Sequence, residues 1–277
     1  MSLPATKKPD PRASGAATTS TDDFLGGRIG IVQPRRGHRA GSDAVFLAAS
    51  VPAGAGEHVL DAGAGAGVAG LCLLARVPKA DVTAVEIDGT LCALAEANAA
   101  RNAFATRFTA VNADVTWPGK ALGAAGLKRE GYDHLMVNPP FHAEGKVRPA
   151  PDRNRVMAHV MQKTGLAAWI KFCAAMAAPG AHLSLIHRPD VLGELLELLA
   201  GRFGGVRVFP LFPKPGQQAV RIIVQARKGS RAPLALLPGL ILHEDDGRYT
   251  DAAEAVLRGG KALDLGGGEK KGRRLGG

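Results

Sequence analysis

Val59-Leu60-Asp61-Ala62-Gly63-Ala64-Gly65-Ala66-Gly67-Val68-Ala69-Gly70 decides the fold of this chain. It reads as a buried strand, a glycine turn and the start of a helix. Glycine there permits positive φ and lets backbone approach a ligand closely. Working outward, the same alternation repeats. Strands are expected over Glu57–Ala62, Asp81–Glu86, Phe108–Asn112, Tyr132–Val137 and Ala181–His187. Helices are expected over Val68–Arg76, Gly89–Arg101, Leu166–Ala178 and Val191–Phe203. Between 116 and 131 lies a Gly/Ala/Lys loop with room for one short helix. Repeated βα units predict a parallel sheet covered by helices on both faces, because such crossovers are almost always right-handed. Val206–Leu211 and Ala219–Ala226, joined through Phe212-Pro213-Lys214-Pro215-Gly216, predict an antiparallel hairpin at one edge. The expected fold is therefore α/β and Rossmann-like: seven strands, mostly parallel, in one domain.

The glycine loop satisfies two cofactor patterns at once. Gly65, Gly67 and Gly70 form G-x-G-x-x-G, and Glu86 lies 21 residues after Gly65, as a dinucleotide fingerprint requires. Asp61, Gly63, Gly65 and Gly67 form D-x-G-x-G-x-G, the pattern of S-adenosylmethionine sites. Either cofactor would use Glu86, at the end of its strand, to accept ribose hydroxyls, with Asp88 as a reserve. Asp61 separates the two. A carboxylate at that strand tip is awkward beside pyrophosphate and suitable near a methionine ammonium group. Asp114, just beyond the third strand of the run, can accept from an adenine amino group.

Asn138-Pro139-Pro140-Phe141 closes the apolar run His134-Leu135-Met136-Val137. Two prolines end the ladder and hold the loop in extended geometry. The loop sits at a strand's carboxyl end, where open α/β sheets place their ligands. Asn138 offers a side-chain carbonyl, Pro139 a backbone carbonyl and Phe141 a stacking face. That set suits a flat group carrying an amino nitrogen. Asp61, Glu86, Asp114 and Asn138 thus end four consecutive strands with residues suited to S-adenosylmethionine and a planar acceptor.

The 277 residues carry a net charge of +10, with a sequence pI of about 9.9. Such a balance favours a polyanionic partner. Arginines concentrate in Pro34-Arg35-Arg36-Gly37-His38-Arg39-Ala40-Gly41, a loop ahead of a helix over Ala44–Val51 that Ser42 or Asp43 is placed to cap. No apolar run approaches the ~18 residues of a membrane span. No signal-peptide core is evident, so a reducing, cytoplasmic setting is expected. Cys72, Cys92 and Cys173 are far apart and read as buried hydrophobes, and no ligand spacing predicts a metal. Residues 1–22 are assigned to a disordered tail, 23–265 to the domain (23–52 covering the ligand) and 266–277 to a basic flexible tail.

With these residues in view, the chain resembles the class I methyltransferases that methylate exocyclic amino groups. The carriers are Asp61 to Gly67, Glu86, Asp114 and Asn138 to Phe141. Gly41-Ser42-Asp43-Ala44-Val45-Phe46-Leu47 is similar to a segment of the bacterial tRNA adenine-N6 methyltransferases that act beside the anticodon of a valine tRNA. So are Ala219-Val220-Arg221-Ile222-Ile223-Val224 with Lys228-Gly229, and Gly247-Arg248-Tyr249-Thr250. Many relatives carry Tyr where Phe141 stands. The resemblance implies S-adenosylmethionine as cofactor, S-adenosylhomocysteine as product and RNA as partner, with tRNA first. It implies Ser42, Asp43, Asp61, Ala62, Gly63, Gly65, Gly67, Glu86, Ile87, Asp114, Val115 and Asn138 around the cofactor. It implies Asn138, Pro139, Pro140 and Phe141 in catalysis, and Arg35, Arg36, Arg39 and His142 toward the RNA. The acceptor order is adenine N6, then guanine N2 of ribosomal RNA, then a glutamine amide of a protein. A basic RNA-binding module with a degenerate cofactor fold is the non-enzymatic rival, and an NAD-dependent oxidoreductase is a third.

Overall fold

The computed structural model of the chain describes residues 18–37, 39–140 and 165–266. An antiparallel ribbon comes first, β1 (Thr19–Phe24) against β2 (Ile29–Pro34), followed by α1 (Ser42–Ser50). The alternation then runs β3 (His58–Ala62), α2 (Val68–Arg76), β4 (Asp81–Glu86), α3 (Gly89–Arg101), β5 (Phe108–Asn112), α4 (Gly119–Ala124) and β6 (Tyr132–Val137). Beyond residue 164 come α5 (Leu166–Met176), β7 (Ala177–His187), α6 (Leu192–Leu199), β8 (Phe203–Phe212) and β9 (Arg221–Lys228). Two-residue strands β10 (Ala235–Leu236) and β11 (Leu240–Ile241) and helix α7 (Asp251–Leu257) close the described chain.

The long strands lie in the order β8-β9-β7-β6-β3-β4-β5. From β7 to β5 all neighbours are parallel. β9 is antiparallel to both of its neighbours, so it slots between β7 and β8 and forms the expected hairpin. β10 and β11 add parallel pairs to the outer side of β8, within a stretch whose composition suggested no strand. The chain steps outward from β3 through β4 to β5, then returns to place β6 on the other side of β3. That reversal is the topological switch point, and ligands of open α/β sheets bind there, at the carboxyl ends.

Burial explains why the sheet is covered twice. Val59, Met136 and Ile186 pack with α1 and α2 on one face, while their chain neighbours Leu60, Leu135 and Leu185 pack with α5 and α6 on the other. Successive side chains of a strand point to opposite faces, so a nearly continuous apolar run needs a helix layer on each. Cys72, Cys92 and Cys173 are free and buried. No helix among the described residues is long and apolar enough to cross a membrane.

The helix expected to reach Phe203 ends at Leu199, and Phe203 opens β8. Three further expectations need correction. β1 begins at Thr19, inside the span assigned to a disordered tail. Thr-Ser-Thr-Asp-Asp-Phe shows no apolar alternation, because this strand is held by polar partners: Asp22 takes hydrogen bonds from Gln33 and Arg39. The N-cap of α1 is Gly41 with no side-chain cap, so neither Ser42 nor Asp43 caps it. Seven successive residues of α1, Ala44 to Ser50, are buried, and packing rather than capping holds this helix. β7 starts at Ala177 and runs through Pro179-Gly180, so the preceding helix ends two residues earlier than expected. Residues 1–17 and 267–277, assigned to the tails, lie outside the described residues.

Candidate active site

β3, β4, β5 and β6 are parallel, so their carboxyl ends share one edge. Asp61 lies in the last turn of the pleat of β3, Glu86 ends β4, Asp114 follows β5 by two residues and Asn138 follows β6 directly. Ala62 pairs with Val137 of β6, which brings Asn138 beside the glycine loop. A cleft opens at this switch point, lined by Asp61, Gly63, Ala64, Gly65, Ala66 and Asn138 from the sheet edge and Val68, Ala69 and Leu91 from helices. Its other wall is Gln33, Pro34, Ala40 and Ala44, all from the N-terminal segment.

The two acidic residues of the cofactor pattern bind the loop itself. Asp61 is 2% exposed, and its Oδ2 accepts from the Gly70 N–H in the first turn of α2 at 3.1 Å. Glu86 accepts from the N–H of Gly65 at 2.8 Å and of Asp88 at 3.0 Å. A dinucleotide would need such N–H groups for its pyrophosphate. Here carboxylates occupy them, and a diphosphate beside two buried acids would be repelled. A sulfonium with an ammonium group is attracted instead.

Burial pushes the Asp61 carboxyl up to about 7; the Gly70 N–H opposes this and the Glu86 charge adds to it. Burial also raises Glu86, against the N–H groups of Asp88 and Gly65. An acid whose native pKa lies above its unfolded value holds its proton more tightly when folded. Stability therefore falls as pH rises from about 4 to about 7, by about 1.4 kcal/mol per unit for this one group. Asp61→Asn keeps an acceptor for Gly70 and no longer titrates. Relative to wild type, its unfolding free energy is expected to climb across that window, by roughly 4 kcal/mol in all, and level off above pH 7. Urea unfolding at a series of pH values measures this; parallel pH profiles for the two proteins would dismiss it.

Asn138 is half-buried, and its Oδ1 is buried with no hydrogen-bond partner among the described residues. An orphaned buried carbonyl is costly, of order 1–3 kcal/mol, and marks a place where a donor is meant to arrive. With Asp61 and the glycine loop beside it on the same sheet edge, this set fits S-adenosylmethionine and an amino-bearing acceptor. Gly63 adopts φ +73°, and Trp169 of α5 packs so closely that a Cβ there would lie 2.7 Å from its Cη2. Trp169 thus supports the loop from behind. Sequence spacing gave no hint of this, since the two residues are distant in the chain.

Other expected residues take different places. Gly67 caps α2 with φ +85° and abuts Phe108 and Ala95, a packing role; Ala62 is fully buried in the core. Neither lines the cleft. Asp43 pairs with Arg221 at 2.7 Å, which joins two of the segments that carry the family resemblance. Arg39 is held by Asp22 at 2.5 Å and by Ser20. Ser42, Arg35 and Arg36 are exposed, with one Arg35 N–H given to the Thr19 carbonyl. Asp114 Oδ1 accepts from both N–H and O–H of Thr116, forming a tight turn. Ile87, 39% exposed, and Val115 flank the ends of β4 and β5. Pro139 is buried and Pro140 half-buried behind Asn138. Phe141 and His142 lie outside the described residues. Among the described residues no cluster of His, Cys, Asp or Glu could hold a metal ion.

Missed by the sequence reading is Gln33, 2% exposed, in the cleft wall. Its amide donates to Asp22 and to the Ala40 carbonyl and accepts from the Ala40 N–H, closing the arginine loop.

Known proteins similar to this chain are methyltransferases. Residues 39–158 match the family described as Methyltransferase small domain. The chain is 31% identical over 239 residues to a tRNA1(Val) (adenine(37)-N6)-methyltransferase of Porphyromonas gingivalis, covering 83% of this chain and 91% of the relative. A Shewanella baltica protein of the same name is 27% identical, over 80% of this chain and 91% of its own. The crystal structure of a predicted O-methyltransferase from Agrobacterium tumefaciens superposes with TM-score 0.68 at 34% identity, covering 80% of this chain and 97% of that one.

Proposed function

The chain belongs to the family of the tRNA1(Val) (adenine(37)-N6)-methyltransferases, and on that premise we propose that it methylates N6 of an adenine in tRNA, with Asn138 and Pro139 as the groups that present the amino nitrogen. S-adenosylmethionine supplies, when bound, a methyl carbon on a positively charged sulfur. The chain's task is to bring a poor nucleophile to it. The lone pair of an exocyclic amino group is conjugated into the ring. Oδ1 of Asn138 and the carbonyl of Pro139 accept its two N–H bonds, which turns the lone pair out of conjugation and toward the cleft. Alignment of this kind can supply about 7–11 kcal/mol. No strong base is needed: the N–C bond would form as the sulfur–methyl bond breaks, S-adenosylhomocysteine would leave as a neutral thioether, and the surplus proton on nitrogen would pass to solvent afterwards.

The observation that carries the reading is the unsatisfied Asn138 Oδ1 at the cleft, inside a chain of this family. Oxygen as acceptor fits poorly, because a hydroxyl has only one hydrogen for two carbonyls. The net charge of +10 and the exposed Arg35 and Arg36, next to Pro34 in the cleft wall, suit a phosphate backbone. The test is methylation of a tRNA1(Val) transcript with methyl-labelled cofactor, followed by nucleoside mass spectrometry. N6-methyladenosine is expected, and it should vanish from a transcript with guanine at position 37. Label recovered as N2-methylguanosine, or only in protein, would replace this reading.

A further inference from the structure

The ribbon that carries Gln33, Arg35 and Arg36 stands outside the main sheet. Its inner strand β2 has β1 as its strand neighbour. On the other side lies α3, and two asparagines of that helix take the part of a strand. Asn98 Oδ1 accepts from the Val32 N–H at 2.9 Å, and its Nδ2 donates to the Val32 carbonyl at 3.0 Å. Asn102 repeats the pattern on Gly30, at 3.1 and 3.0 Å. The spacing is a geometric match. Four residues of helix rise about 6 Å, and two residues of strand span about 6.6 Å.

The two amides differ in one bond. The second Nδ2 hydrogen of Asn102 returns to its own helix, to the Asn98 carbonyl at 2.8 Å. That of Asn98 donates to the carbonyl of Ala66 at 3.0 Å, in the glycine loop. Asn98 is 1% exposed, so water does not compete for these bonds. Ala66 lines one wall of the cleft, and Gln33 and Pro34, just after Val32, line the other.

We infer that Asn98 is a positioning residue that ties the cofactor loop to the ribbon, so that cofactor binding at the loop also orders the strand that faces the RNA. The RNA end of this statement rests on the function proposed above. The tie itself is testable with cofactor alone.

Hydrogen exchange of the full-length protein, with and without saturating S-adenosylhomocysteine, reads it directly. In wild type the ligand is expected to slow exchange both in the loop around residues 63–67 and in β2. In Asn98→Ala the loop should still respond and β2 should not, with cofactor affinity lowered about tenfold, the scale of one buried hydrogen bond. In Asn102→Ala, β2 should exchange faster throughout yet still slow on ligand addition. A residue serving only to hold the ribbon would make the two variants behave alike. Asn98→Asp, which keeps the acceptor for Val32 and loses both donated bonds, serves if the alanine variant does not fold. A wild-type β2 indifferent to ligand, or an equal response in the Asn98 and Asn102 variants, overturns the inference. A protein that shows the ribbon response but methylates no tRNA overturns the proposed substrate alone.

Discussion

Asn138→Ala is expected to bind S-adenosylhomocysteine within about threefold of wild type while turnover falls by about 10²- to 10³-fold, the usual cost of losing one aligned polar group at the reacting centre. The two quantities separate because different residues set them. In the function proposed above Asp61, Glu86 and the glycine loop hold the cofactor, and the two carboxylates accept from loop N–H groups rather than from Asn138. Asn138 lines the same cleft from the end of β6, and its Oδ1 has no hydrogen-bond partner among the described residues. Truncation removes one of the two acceptors that orient the nitrogen. The loop should keep its path, because Pro139 and Pro140 fix it regardless of the side chain before them. Asn138→Asp is informative beside it. It keeps an acceptor oxygen at the same place and should lose less activity than the alanine variant. Calorimetry with the product cofactor and single-turnover methylation of the transcript measure the two effects. An alanine variant with normal turnover, or one that loses binding and turnover together, would remove Asn138 from its role.

The contrast between what the chain reveals by itself and what it conceals follows from the range of each interaction. Asp61, Glu86, Asp114 and Asn138 are legible because each is a polar residue ending a short apolar run, and such runs become buried parallel strands with their ends aligned. That information is local. β1 is illegible because its partners are Gln33 and Arg39, reached only after the chain has turned back on itself. Asn98 and Asn102 announce a shared helix face by their spacing, but their partners lie 66 and 72 residues away. The ion-pair partners of Arg39 and Asp43 are hidden for the same reason, since only the folded chain brings Asp22 and Arg221 to them. Gly63 and Gly67 look equivalent in the motif. Folding gives one to the cleft and the other to Phe108 and Ala95.

Gly63→Ala should be the most damaging single methyl group in the site. Two costs add. At φ +73° an L side chain is strained, worth about 1–2 kcal/mol. The new Cβ would also stand 2.7 and 3.0 Å from Cη2 and Cζ3 of Trp169, an overpacking that typically costs about 1–3 kcal/mol. The loop cannot yield inward freely, because the Gly63 and Ala64 N–H groups are both bound to the Val85 carbonyl, at 2.8 and 3.0 Å. It must shift toward the cleft, which is where the cofactor belongs. Stability is therefore expected to drop by about 2–5 kcal/mol, and affinity for S-adenosylhomocysteine by about 100-fold or more, since about 2.7 kcal/mol of displaced contact suffices for that factor. Trp169→Leu tests the partition. Placed in the same chain as Gly63→Ala, it removes the ring and leaves the backbone strain, so the double variant should regain part of the stability lost and show a coupling energy of opposite sign to the single effects. If the two substitutions simply add, Trp169 does not support the loop, and the close approach that makes glycine obligatory at position 63 is not what shapes the cofactor wall.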